Sequence, residues 1–326
     1  MDTDLPRTPT LSVPISYHPM VLPDGSAIEL ALPTNSADPV VRAYADGNCL
    51  NQYLVDWLLR FTKPGDRVLD LGCHVGTLAV PAAALGRKVL AVDASPLHAD
   101  CVRRSAARAG LADLHVERCA IDRDEGEVTF AENGLWGMVV AQSSGESAGV
   151  VRVPSRRADA LARSLAWDHV DLVKIDIEGS ELAAIESLGS LLAGERAPVI
   201  VYESNGMTFE LFGYGIEDVR RRLESLAYVT CRVEGDRLIR CDPMQLQPEA
   251  WLDVVALPSA WQERYGGQIE TWSDEEMVTR CLEWGSNGHR NVREYLHRAL
   301  AMPCRYPSSD SRITALKERL AREFTS

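Results

Sequence analysis

Lysine is nearly missing: Lys63, Lys88, Lys174 and Lys317 are the only four among 34 basic residues, set against 47 acids. The net charge is −13, and no Lys/Arg cluster reverses that sign locally. Affinity for phosphate backbones needs basic surface, so nucleic acid is not an expected partner, and neither is an anionic membrane. No apolar run reaches the roughly 18–20 residues of a membrane span. Residues 1–10 offer acids and prolines, with no basic patch leading into an apolar stretch, so no secretory leader is expected and the cytoplasm is. Eight cysteines are present, yet none forms a C-x-x-C pair, which excludes zinc-ribbon spacing. Thiols spread evenly through a chain this long read as reduced. His18, His98, His115, His169, His289 and His297 show no metal spacing either.

What is present is enough apolar content, 46% of 326 residues, for one large domain with an appendage or for two modest ones. Residues 1–49 read as an N-terminal extension of short strands and turns, with Asp24-Gly25 as a hairpin signal. Residues 50–258 read as the main domain. It opens with a helix over 50–61 and then alternates: strands at 67–71, 88–92, 114–119, 170–177 and 198–203, helices at 77–85, 96–109, 180–192 and 216–226. Short β segments at 127–130, 138–141 and 150–153 interrupt this series. Strands at 228–233, 238–240 and 252–257 follow, the first two joined by a turn at 234–236. Alternation of this kind implies a parallel sheet with helices on both faces and an antiparallel edge. Residues 259–326 read as helical, a candidate lid, substrate cap or oligomer contact.

Four strand ends carry chemistry. Asp70-Leu71-Gly72-Cys73-His74-Val75-Gly76 follows the first core strand. It is not G-x-G-x-x-G, and the acid before the first glycine would repel a phosphate while suiting a cationic amino group. Gly72 and Gly76 allow close backbone approach to a ligand, or serve tight packing alone. Asp93 ends the next strand, placed to accept from two ribose hydroxyls, or to cap the helix behind it. Ser95 is the better cap. Lys174, Asp176 and Glu178 share a parity, so a regular strand would point them to one side. Three charges at a buried strand end are costly unless paired, which leaves a ligand site or a structural Lys174–Asp176 ion pair. Glu203 and Asn205 close the following strand. With Asp176 they are candidates for a hard divalent cation such as magnesium, or for orienting a substrate hydroxyl.

Together VLDLGCHVG (68–76), VDASP (92–96), ERCAID (117–122), VKIDIEGSE (173–181) and VYESN (201–205) resemble the FkbM family of S-adenosylmethionine-dependent methyltransferases. The resemblance covers somewhat under half the chain, and the family often has Asn where His74 stands. It implies an α/β fold with a Rossmann-like seven-stranded class I sheet, carrying an N-terminal β/helical extension and a C-terminal helical appendage. It also implies O-methylation of a hydroxyl on a sugar, polyketide or other secondary metabolite. By that resemblance Asp70, Gly72, Cys73, His74 and Gly76 contact the methionine part. Asp93 holds the ribose, with Ala94 and Ser95 nearby. Cys119 and Ala120 border the adenine, and Asp176 and Glu178 face the sulfonium and acceptor.

Methyl transfer from a sulfonium is an in-line displacement, mainly a positioning task, and an alcohol nucleophile gains from a general base. Asp176, Glu178, Glu203 and His74 are the candidates. Asp176 comes first, tuned by Lys174 or Glu203. Trp136, Gln142 and Tyr214 lie in segments able to wall an acceptor pocket. A nicotinamide oxidoreductase on a similar fold is the alternative, disfavoured by the missing glycine fingerprint and by Asp70. A non-catalytic cofactor-binding module is a second alternative.

Overall fold

The computed structural model describes residues 13–132, 137–140, 150–241 and 252–271. The helical reading of the tail beyond residue 271, together with Trp136 and Gln142, lies outside them. Two compact units divide the chain, Met1–Ile200 and Val201–Ser326.

In the first unit, β1 (Ile15–Val21) and β2 (Ala27–Pro33) form the hairpin signalled by Asp24-Gly25 and pair antiparallel from Val21↔Ala27 to Ile15↔Pro33. A helix follows, α1 (Pro39–Ala45), capped by the Asp38 carboxylate. Aspartate before proline is a start signal for a helix, since proline suits its first position. Next, α2 (Gln52–Phe61) turns Leu54, Val55, Leu58 and Phe61 inward at helical spacing.

The core alternates β3 (Arg67–Leu71), α3 (Ala79–Ala84), β4 (Lys88–Asp93), α4 (Pro96–Ala109) and β5 (Leu114–Arg118). Four short strands come next: β6 (Ala120–Ile121), β7 (Gly126–Glu132), β8 (Gly137–Val140) and β9 (Val150–Arg156). After α5 (Ala158–Ser164) the core resumes with β10 (Leu172–Ile175) and α6 (Glu181–Ser187). Strands β10, β3, β4 and β5 lie side by side in that order, all parallel, and their residues are buried on both faces over β3, β4 and β10. That is the Rossmann-like arrangement the alternation implies. The inserted strands make a separate sheet in the order β6-β9-β7-β8. Ala120, Phe130 and Val153 from this sheet pack with Ala94, the residue just past the end of β4.

Several boundaries depart from the periodic reading, most of them around β10, α6 and β11. Strand β10 stops at Ile175 instead of 177, because Glu178 and Gly179 take positive φ values of 54° and 105°. Helix α6 stops at Ser187, and its continuation is a 3-10 turn over Gly189–Leu192. Strand β11 (Val199–Ser204) begins where Val199 N–H donates to Asp171 O at 3.0 Å, and its last four residues open the second unit.

The second unit continues with α7 (Gly206–Leu211), α8 (Ile216–Ser225), β12 (Val229–Glu234), β13 (Arg237–Arg240) and β14 (Leu252–Leu257). It goes on to α9 (Ser259–Tyr265) and β15 (Ile269–Glu270). β12 pairs antiparallel with both β13 and β14, which gives the expected hairpin at 234–236 and an antiparallel edge.

Candidate active site

The carboxyl ends of β3 and β10 meet at a single lysine. Lys174 is 6% exposed; its Nζ donates to Gly72 O at 2.8 Å and lies 3.2 Å from Asp176 Oδ2 and 3.7 Å from Asp70 Oδ1. The Lys174–Asp176 ion pair, one of the two expected alternatives, is present, and Lys174 also ties one motif to the other through the Gly72 carbonyl. Gly72 makes the junction. Its φ is +80°, and a Cβ built on it would sit 1.7 Å from Asp176 O. The Gly72 and Cys73 N–H groups both donate to Val92 O, at 2.9 and 3.0 Å, which closes the turn. Gly76 has φ +89°, and its missing side chain makes room for Val80 and Val102.

Asp70 is buried, and neither carboxylate oxygen holds a hydrogen bond. Burial pushes its carboxyl up to about 6, with Asp176 and Asp93 adding to the rise and Lys174 opposing it. A buried acid short of donors is costly for the protein alone, and fits a ligand that brings a cationic donor.

Glu178 does not continue the strand parity with Lys174 and Asp176, because the strand has ended and a left-handed residue has turned the chain. It is half-buried, and burial pushes its carboxyl up to about 7, with Asp176 raising and Lys174 lowering it. Glu181, quoted in the motif but given no role by sequence, holds this turn. It is fully buried; its Oε1 accepts from Ile177 N–H at 3.0 Å and its Oε2 from Gly179 N–H at 2.9 Å. An acid in the first turn of a helix, just past Gly179-Ser180, was the signal available for it.

Asp93 ends β4 as expected, and its carboxylate is already engaged. Oδ2 accepts from His74 N–H and Oδ1 from Ser95 N–H, each at 2.8 Å, and His98 Nδ1 lies 3.3 Å from Oδ1. Burial alone would raise this carboxyl; His98, the Ser95 N–H and His74 bring it below the ordinary value. Ser95 is the N-cap of α4, with its hydroxyl accepting from His98 N–H at 3.4 Å. His98, read as ordinary, thus belongs to the site, and its ring meets that of His74 edge-on at 4.3 Å.

Cys73 and Cys119 are buried thiols, Cys73 pushed well above its ordinary value and Cys119 to about 12, both chiefly by burial. Neither is a nucleophile at neutral pH. Ala94 and Ala120 form an apolar patch with Phe130 and Val153.

In the second unit, Glu203 is half-buried near the end of β11. Asn205 is buried and starts α7, with its side-chain oxygen accepting from Thr208 N–H at 3.5 Å and its carbonyl accepting from Phe209 N–H at 3.1 Å. Tyr214 stacks on Phe209 with ring centroids 4.9 Å apart, a packing contact.

Comparison with known proteins places this geometry. The chain is 35% identical over 88 residues to the 23S rRNA (uracil(1939)-C(5))-methyltransferase RlmD of Shewanella sp. (strain MR-7), which covers 24% of this chain and 19% of that protein. It is 37% identical over 89 residues to the ubiquinone biosynthesis O-methyltransferase of Methylocella silvestris, covering 27% of this chain and 34% of that protein. The chain therefore spans between a fifth and about a third of the length of these curated relatives. Among solved structures, Pyrococcus abyssi tRNA (uracil-54, C5)-methyltransferase in complex with S-adenosyl-L-homocysteine aligns with TM-score 0.38 and 17% identity, over 74% of this chain and 43% of that one. The family described as Methyltransferase FkbM domain matches residues 70–230, just under half the chain, from the buried acid of β3 to the start of β12. Residues 70–230 of this chain are a methyltransferase domain of the FkbM family.

Proposed function

We propose that this chain is an S-adenosylmethionine-dependent methyltransferase that methylates a hydroxyl of a small acceptor, a sugar, polyketide or other secondary metabolite. The observation that carries the reading is the excess of acid at the FkbM strand ends, with Asp70 buried and Asp176 and Glu178 partly exposed. Asp70, Asp176 and Glu178 surround one lysine, and Asp70 keeps both oxygens free of hydrogen bonds. Such a site favours a ligand bearing an ammonium and a sulfonium and no phosphate. When bound, that cofactor supplies an electrophilic methyl group.

The chain's own residues do the rest. Asp70 accepts from the cofactor ammonium beside the turn made by Gly72, Cys73, His74 and Gly76. Asp93 has spare acceptor capacity for a ribose hydroxyl, since a carboxylate offers about four lone-pair sites and three neighbours use this one. Ala94 and Ser95 stand beside Asp93 at the ribose, and Cys119 and Ala120 border the adenine, with Phe130 packed against Ala94 and Ala120. Lys174 holds Asp176 and the Gly72 carbonyl in place. Asp176, first among the bases by sequence, is committed to that lysine. Glu178, raised to about 7 by burial, is the better proton acceptor at neutral pH. This reading assigns no step to a divalent ion.

Isothermal titration with S-adenosylmethionine and, separately, NADH tests it. Micromolar S-adenosylmethionine binding that weakens in Asp93→Ala, with no NADH signal, is the expected result. NADH binding, or binding of neither, would overturn the methyltransferase reading.

A further inference from the structure

Asp38 lies outside residues 70–230, in the N-terminal segment, and no motif marks it. It is 4% exposed, and its two carboxylate oxygens face different ways. Oδ1 accepts from the N–H groups of Val40 and Val41, at 2.7 and 3.1 Å, and so caps α1. Oδ2 lies 2.9 Å from His74 Nε2. Burial pulls this carboxyl up, and the His74 contact and the two N–H groups outweigh it, holding it below the ordinary value. An ionised carboxylate only accepts, so Nε2 is the ring nitrogen that donates to Asp38.

His74 needs holding. Its φ is 50°, a left-handed backbone that costs any residue with a Cβ and is most tolerable for Asn, Asp and His. That conformation aims the His74 N–H at Asp93 Oδ2, 2.8 Å away. Two groups meet the imidazole, Asp38 from the start of α1 and His98 from α4, while Asp93 at the end of β4 takes the main-chain N–H.

We propose that Asp38 is a positioning residue of the cofactor site, bracing the His74 ring so that the turn keeps the left-handed form in which it engages Asp93. The N-terminal segment is then a working part of a site whose family motifs lie elsewhere in the chain. This rests on the reading of Asp93 as the ribose acid.

The test has two arms. In the free protein, nitrogen-15 spectra of labelled histidine are expected to show His74 protonated on Nε2. Asp38→Asn, which keeps the helix cap but turns an amide donor toward the ring, is expected to move that proton to Nδ1. The second arm titrates S-adenosylhomocysteine into wild type, Asp38→Ser, His74→Asn and the double variant. Serine still caps α1 but is too short to reach His74. Asp38→Ser is expected to weaken binding about 10-fold, whereas Asn at 74 tolerates the left-handed turn unaided, so the double variant should bind like His74→Asn. An equal loss in both backgrounds, no loss in Asp38→Ser, or a wild-type His74 without a proton on Nε2 would overturn the proposal. Wild type that fails to bind the ligand would instead overturn the cofactor reading itself.

Discussion

At the scale of single residues, burial sets ionisation around the end of β10 more than neighbouring charge does. Asp70, Glu178 and Glu181 are pushed up to about 6, 7 and 8, with burial the largest cause in each. The sign of the resulting pH dependence follows. The folded protein keeps protons that the unfolded chain gives up near pH 4, so folding binds protons between about pH 4 and 8, and stability falls as pH rises through that window. Glu178→Gln removes one such acid. It is expected to be stabilised relative to wild type at pH 8 by about 1–2 kcal/mol, after allowing for solvent screening, and by almost nothing at pH 4. Urea denaturation at the two pH values measures this, and equal shifts would show that Glu178 ionises freely. Of these residues, Asp70, Lys174, Asp176 and Glu178 were legible from their motifs. The brace Asp38, the ring of His98 and the clamp Glu181 were not given roles. Two of the three act across 5 to 36 positions of chain, which no local spacing reports, while Glu181 sat in plain view inside VKIDIEGSE.

At the scale of elements, the site is a joint between two strand ends. The turn after β3 and the turn after β10 touch where Gly72 lies against Asp176 O. Glu181 secures the second turn from its far side, and Lys174 stitches the two through the Gly72 carbonyl. Gly72→Ala would add both a steric clash and a left-handed alanine. A loss of about 3 kcal/mol or more is expected, measured as a drop in the thermal midpoint with S-adenosylhomocysteine binding abolished. A folded, ligand-binding Gly72→Ala protein would mean the turns part easily, and the joint would not be rigid. The strands that build this joint were readable because central parallel strands are continuous apolar runs, as in Val68-Leu69 and Val89-Leu90-Ala91-Val92. Elements with weaker patterns escaped: β6 has two residues, and α5 and α7 have seven and six, too short for a helical period to declare itself.

For the whole molecule, the choice of acceptor turns on charge. The relatives with measurable identity include an rRNA methyltransferase as well as a ubiquinone biosynthesis O-methyltransferase, so family alone does not separate RNA from a small molecule. The chain carries −13 net charge, and many of its arginines are already spent. Arg104 pairs with Asp100, Arg108 with Glu29, Arg123 with Glu186, and Arg156 with Glu125. A phosphate backbone would have to break such pairs and approach a negative surface, while each phosphate neutralised elsewhere contributes to affinity through released counterions. We therefore expect no binding of a labelled rRNA fragment by fluorescence anisotropy at about 50 mM salt, where non-specific electrostatic affinity is at its strongest in ordinary buffers. Micromolar binding that falls steeply with salt would reverse the assignment, since it would reveal a basic face that the overall charge conceals. Binding that ignores salt would instead point to single-stranded bases stacking on aromatic side chains.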